Sequence, residues 1–95
     1  MEESHHPTAE ILKSLADDTR LSIVRKLTKE GCEVTSKDIV SGCGTALQLS
    51  QPTMSHHFQK LVASGVIREH KTGVEKRYSL DIALLNSVGI DPTKL

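Results

Sequence analysis

The sequence predicts a mainly α-helical domain that ends in a β-hairpin, and three features predict it. Apolar residues recur at helical spacing in four successive segments before residue 65, the periodicity of helices that bury one face. Two short polar runs with β-branched and aromatic residues then flank a glycine, the pattern of two strands joined by a turn. The apolar complement itself is 11 Leu, 6 Ile and 7 Val beside one Phe and one Tyr, a set that suits packed helices.

Residues 1–7 are polar and aperiodic and read as a flexible tail. Its His5 and His6 fall short of the three or four fixed ligands that a stable metal site needs. Thr8 opens the first helix, with Ile11, Leu12 and Leu15 as its apolar positions. Asp17 or Asp18 caps a second helix over Thr19 to Glu30, where Leu21, Ile23, Val24 and Leu27 share a face and Gly31 ends it. A third begins at Thr35 or Ser36, where Thr35-x-x-Asp38 makes a capping box, ahead of Ile39, Val40 and Cys43. The glycines of Ser41-Gly42-Cys43-Gly44 make it short or irregular.

Ser50 is the clearest helix start in the chain, an N-cap with Pro52 in the first turn. Met54, Phe58, Leu61 and Val62 form the apolar face of this fourth helix, and Gln51, Thr53, Ser55, His56, Gln59 and Lys60 point away from it. His57, beside Phe58, is expected to be held within the fold. Gly65 closes the helix. Val66-Ile67-Arg68-Glu69-His70 and Lys76-Arg77-Tyr78-Ser79-Leu80 are the two strands, joined across Lys71, Thr72, Gly73, Val74 and Glu75, with Tyr78 facing inward. Asp81 caps a last short helix that Gly89 and Pro92 stop. One domain is therefore expected over 8–90, with 91–95 as a C-terminal tail.

At 95 residues the chain is too short for a two-domain enzyme, and it contains no Gly-rich phosphate loop, paired carboxylates or nucleophilic triad. A core this small favours a homodimer. No basic-then-apolar leader and no apolar run near 18 residues is present, so the expectation is a soluble cytoplasmic chain with no membrane partner. Cys32 and Cys43 have no Cys-x-x-Cys spacing and suit reduced thiols in a cytoplasm.

Helix order, the capped third helix, the polar fourth and the hairpin together define a winged helix-turn-helix. Its charge is distributed accordingly. The chain carries 12 Lys+Arg and 12 Asp+Glu, yet residues 49–80 hold Lys60, Arg68, Lys71, Lys76 and Arg77 against Glu69 and Glu75, a net of +3 that the rest offsets. The positive part falls on the fourth helix and the hairpin, where phosphates would be met.

Two stretches, Leu15-Ala16-Asp17-Asp18-Thr19-Arg20-Leu21-Ser22-Ile23-Val24 and Leu49-Ser50-Gln51-Pro52-Thr53-Met54-Ser55-His56-His57-Phe58 with Leu61, Gly65, Val66 and Ile67, carry a resemblance. With the wing Lys71-x-Gly73 and Tyr78-Ser79-Leu80, they resemble the ArsR-like repressors, the arsenical-repressor type of regulator, with Asp18 in place of the usual Pro. The resemblance covers about residues 10–82. It implies a homodimer that places one fourth helix per protomer in successive major grooves of double-stranded DNA at an inverted-repeat operator. Gln51, Thr53, Ser55 and His56 then meet base edges, with Gln59 and Lys60 further along the helix and Lys71, Thr72, Lys76 and Arg77 on flanking phosphates.

The family's usual effectors are metals, and here the sequence departs from the pattern. Its third-helix box reads Glu-Leu-Cys-Val-Cys-Asp-Leu, whereas this chain has Glu33-Val34-Thr35-Ser36-Lys37-Asp38-Ile39, with Thr35 and Lys37 at the thiolate positions. The family's other site, an Asp-x-His start and a distant His pair, meets Asp81-Ile82-Ala83. No metal and no cofactor is therefore expected. Cys32 and Cys43 are candidates for the thiol-redox sensing that some ArsR-like relatives use, which requires Cα atoms within about 7 Å. A reading from a different class is a winged-helix module that docks a protein through the same polar helix face.

Overall fold

Asp17 and Gly31 frame the longest helix of the N-terminal half, and both act through backbone hydrogen bonds. In the computed structural model, which describes residues 8–41 and 51–95, α1 (Thr8–Leu15) is followed by α2 (Asp18–Glu30). Asp17 is extended and its carboxylate accepts the Arg20 N–H at 3.0 Å, an N-cap. Gly31 closes α2 by donating its N–H to the Leu27 carbonyl at 3.0 Å. The α1 stripe that enters the core is Ile11, Ser14 and Leu15. Leu12, expected among them, is 53% exposed, because it sits about 100° round the helix from Ile11 and this short helix buries only one narrow stripe.

Val34 and Thr35 form β1, which the sequence reading does not anticipate. Two residues are too few to show strand alternation, and their pairing is with a distant segment. Thr35 also caps α3 (Ser36–Ile39), its hydroxyl accepting the Asp38 N–H at 3.1 Å. The expected capping box is thus half realised by hydroxyl to N–H. The glycine-bearing stretch Gly42-Cys43-Gly44 and the Ser50 cap lie outside the described residues.

The fourth helix, α4, runs Gln51–Ser64 and buries Met54, Phe58 and Leu61. It ends in a Schellman motif: Gly65, at φ +85°, donates to the Val62 carbonyl, and Val66 donates to Leu61. The hairpin follows as β2 (Ile67–Thr72) and β3 (Glu75–Leu80). Its arms are longer and its turn tighter than expected, with only Gly73 and Val74 between them. Gly73 has φ +63°, as the first central residue of a twist-matched two-residue turn requires. The sheet is antiparallel in the order β1-β3-β2, with Val34 opposite Tyr78 and Ile67 opposite Leu80.

The chain closes with α5 (Ile82–Ser87), capped by Asp81, and a 3-10 turn Pro92–Lys94 capped by Asp91. Residues 91–95 are therefore not a loose tail. Pro92 is buried, Leu95 packs against the core and its carbonyl accepts the Arg25 Nε–H of α2 at 3.0 Å. Asp91, whose carboxylate holds the Thr93 hydroxyl and N–H, restarts the backbone after Gly89. The core centres on Ile11, Ile23, Val24, Ile39, Met54, Leu61, Val66 and Leu85, so α4 is fixed on its inner side by α1, α2 and the sheet.

Candidate nucleic-acid interface

The apolar spacing of α4 decides which side chains are left outside. With Met54, Phe58 and Leu61 buried, Thr53, Ser55, His56, Gln59 and Lys60 are all exposed along one side of the helix. They are short hydrogen-bonding groups toward the N-terminal end and a cation further along. Gln51 begins the helix, and its side chain lies outside the described residues.

His57 lies at the edge of that side, one turn after Thr53 and half-buried, and anchors α4 to the α1–α2 corner. Arg20 Nη1 lies 3.1 Å from His57 Nδ1, and Asp17 Oδ2 lies 3.7 Å from the same nitrogen. Arginine only donates, so Nδ1 accepts and the imidazole is neutral. Arg20 Nε also donates to the Ser14 carbonyl at 2.6 Å, and Ser64 donates to the Ser14 hydroxyl at 2.9 Å. Burial, reinforced by repulsion from Arg20 and His56, holds the His57 pKa below its ordinary value against the pull of Asp17. For Asp17, burial works upward but is outweighed by the Arg20 N–H bond and, in the acid range where Asp17 titrates and His57 is protonated, by the charges of His57 and Arg20, so its pKa is lowered. In the sequence Arg20 is marked only by its place in the stretch Leu15 to Val24, and the capping residue Asp17 three positions before it is the signal that a side chain here is fixed.

The hairpin has two chemically distinct faces, because side chains alternate along a strand. Tyr78 is buried and stacks on Phe58 with ring centres 4.6 Å apart and planes 24° from parallel. Its hydroxyl donates to Glu69 Oε1 at 3.0 Å, and burial together with that carboxylate pushes the phenol pKa well up. Lys71 and Lys76 lie on this same face and directly opposite each other in the register. Thr72 and Arg77 belong to the other face, so the structure does not bring the four expected wing residues together. Arg77 is bound to its neighbour Glu75 at 2.9 Å, and Arg68 to Asp81 at 3.0 Å. Of the cations counted between residues 49 and 80, Lys60, Lys71 and Lys76 have no acidic partner within 4.0 Å among the described residues.

Between α3, α4 and the hairpin lies a cleft of about 310 Å³, lined by Lys37, Ser55, Phe58, Gln59, Lys76 and Tyr78 among others. The sequence marks Lys37 only as a misfit in a metal box, and its place in one cleft with Ser55 and Lys76 depends on a tertiary contact. Nor do the residues of that box fit a metal: the Thr35 hydroxyl is occupied as a cap and Lys37 is a cation. Among the described residues, no three His, Cys, Asp or Glu side chains converge. Cys32 is exposed on the loop after α2, and Cys43 lies outside the described residues.

A helix-turn-helix whose second helix shows a polar, exposed side, flanked by a lysine-bearing hairpin, defines a winged helix-turn-helix protein of the DNA-binding class. Comparison with known proteins narrows this. The profile of a family described as a helix-turn-helix domain matches residues 15–70. An arsenical resistance operon repressor of Staphylococcus aureus is 34% identical over 86 residues, 90% of this chain and 76% of that protein. An uncharacterised HTH-type transcriptional regulator of Methanocaldococcus jannaschii is 34% identical over 76 residues, 80% of each. The fold superposes on the crystal structure of an ArsR family transcriptional regulator with a TM-score of 0.75 at 23% identity, covering 86% of this chain and 84% of the other. The chain belongs to the ArsR family of winged helix-turn-helix transcriptional regulators. It is a DNA-binding regulator and not an enzyme. Among the described residues no helix is long and apolar enough to cross a membrane.

Proposed function

We propose that this protein is a homodimeric, cytoplasmic repressor that recognises an inverted-repeat operator in double-stranded DNA without a thiolate metal box. The observation that carries the reading is the pairing of an exposed polar α4 face with Lys71 and Lys76 on the adjoining wing face. Like charges directly opposite in a sheet are unfavourable, and an anion between them removes the penalty. Gln51, Thr53, Ser55 and His56 read base edges from the first turns of α4, while Gln59, Lys60, Lys71 and Lys76 position the backbone. Thr72 and Arg77 meet phosphate from the outer face of the wing, with Arg77 sharing its charge with Glu75. Leu12 at 53% and Ile82 at 50% exposure supply apolar surface for the second protomer.

A duplex selected from a randomised pool tests this by fluorescence anisotropy, repeated with reductant, oxidant and zinc. The selected sequence is expected to be an inverted repeat with half-site centres about one helical turn apart. Gln51→Ala or His56→Ala is expected to flatten sequence preference by about 1–3 kcal/mol at the affected base pair, whereas Lys76→Ala weakens all duplexes alike. Unaltered discrimination in both helix variants refutes the assigned reading surface. Salt-insensitive binding to a protein, with no duplex binding at low salt, would select the docking-module reading instead.

A further inference from the structure

We infer that Lys37 of α3 is a phosphate contact that works with Lys76 of the wing, the two closing on one DNA strand from opposite sides of the cleft between α4 and the hairpin. The inference rests on the DNA-binding reading above and extends it to a residue outside α4 and the wing. Lys37 is exposed, and among the described residues no acidic group lies within ion-pair distance of it. It lines the same cleft of about 310 Å³ as Lys76, Ser55 and Gln59, over the stacked rings of Phe58 and Tyr78. The acids of that cleft are already engaged: Glu69 accepts the Tyr78 hydroxyl and Glu75 binds Arg77. Its two lysines are not; Glu75 is neutralised by Arg77 while Glu69, bonded to a neutral phenol, keeps its charge, so Lys37 and Lys76 together leave the cleft one net positive charge for an anion. In a helix-turn-helix the first helix crosses the nucleic-acid backbone while the second enters the groove, which brings a strand past α3 at this cleft. The position also gains a meaning from its departure from the family pattern: a lysine where the box reads cysteine attracts an anion where a thiolate would attract a cation.

The test measures affinity against salt for the full chain, using the duplex selected by the wild type and a scrambled duplex of equal length. Lys37→Gln is expected to reduce the slope of log K on log[salt] by about 0.9 per bound protomer. Its affinity for both duplexes falls by the same factor, and Lys37→Arg restores slope and affinity. Lys37→Gln combined with Lys76→Gln is expected to lose about twice that slope. Unchanged circular dichroism and melting in Lys37→Gln separate a lost contact from a lost fold, and Lys37→Arg covers the case where the glutamine variant is unstable. A slope unmoved by Lys37→Gln overturns the inference while leaving DNA binding intact. A wild-type chain that binds neither duplex overturns it together with the function proposed above. Inorganic phosphate, added at constant ionic strength, is expected to displace DNA from the wild type more readily than from Lys37→Gln, because the free anion and the DNA phosphate compete for the same lysine.

Discussion

Arg20→Ala is expected to destabilise the protein by an amount that depends on pH in a particular sense. The guanidinium makes two side-chain hydrogen bonds, to the Ser14 carbonyl at 2.6 Å and to His57 Nδ1 at 3.1 Å. A net hydrogen bond contributes about 0.5–1.5 kcal/mol, more for a charged donor, and the half-buried setting favours the lower part of that range. The loss is then about 2 kcal/mol at pH 7.5, or about 8–16 °C in Tm for a domain of this size. The His57 pKa is depressed in the folded chain, by burial first and then by Arg20 and His56. Between that folded value and an unfolded value of about 6.5, the unfolded chain binds more protons, so stability falls as pH drops below about 6.5. Removing Arg20 takes away a repelling charge and leaves Asp17 3.7 Å away to attract the imidazolium. The acid-side loss therefore shrinks in Arg20→Ala, and the gap between the two proteins narrows at pH 5.5. Urea unfolding followed by circular dichroism at both pH values, at one protein concentration, reads both quantities. A gap below about 0.5 kcal/mol at pH 7.5, or one that widens on acidification, refutes the reasoning.

Three further outcomes are expected. Lys71→Ala should weaken DNA binding while leaving stability unchanged or raised by about 0.2–1 kcal/mol, because it removes a like-charge cross-strand pair; denaturant melts that show a clear loss would contradict this. Gly65→Ala should cost more than about 1 kcal/mol, since the residue has φ +85° and a new Cβ would meet Leu84 Cδ2 at 3.0 Å; an unchanged Tm would count against the Schellman closure. Phe58→Leu forfeits the ring stack, about 0.5–1.5 kcal/mol beyond its area, and should lower DNA affinity even at temperatures where the variant is fully folded. Wild-type affinity in that variant would show that the stack does not set the wing relative to α4.

The helices were legible because their signals are local. Asp17 and Thr35 cap as their spacing indicates, and Met54, Phe58 and Leu61 turn inward as their period requires. What escaped depends on partners distant in sequence. The strand pairing of Val34 with Tyr78 joins residues 44 positions apart, and no pattern in two residues announces it. The positive segment was legible as a sum, but Arg68 pairs with Asp81 and Arg77 shares its charge with Glu75, so among the described residues of that segment the lysines are the cations with no acidic partner. Lys37 joins them only once α3 is folded beside the hairpin.

Thr35 is both the last residue of β1 and the cap of α3, so no linker separates the sheet from that helix. In mechanical terms the wing is tied to α3 through β1 with no residue between them, so a displacement of β3 pulls on the first turn of that helix. Bending a bound duplex toward the wing would load the 3.1 Å bond from Asp38 N–H to the Thr35 hydroxyl. Residues added at Gly73 and Val74 would lengthen the wing without uncoupling it. One residue added after Thr35 would let the wing swing without moving the helix beside it.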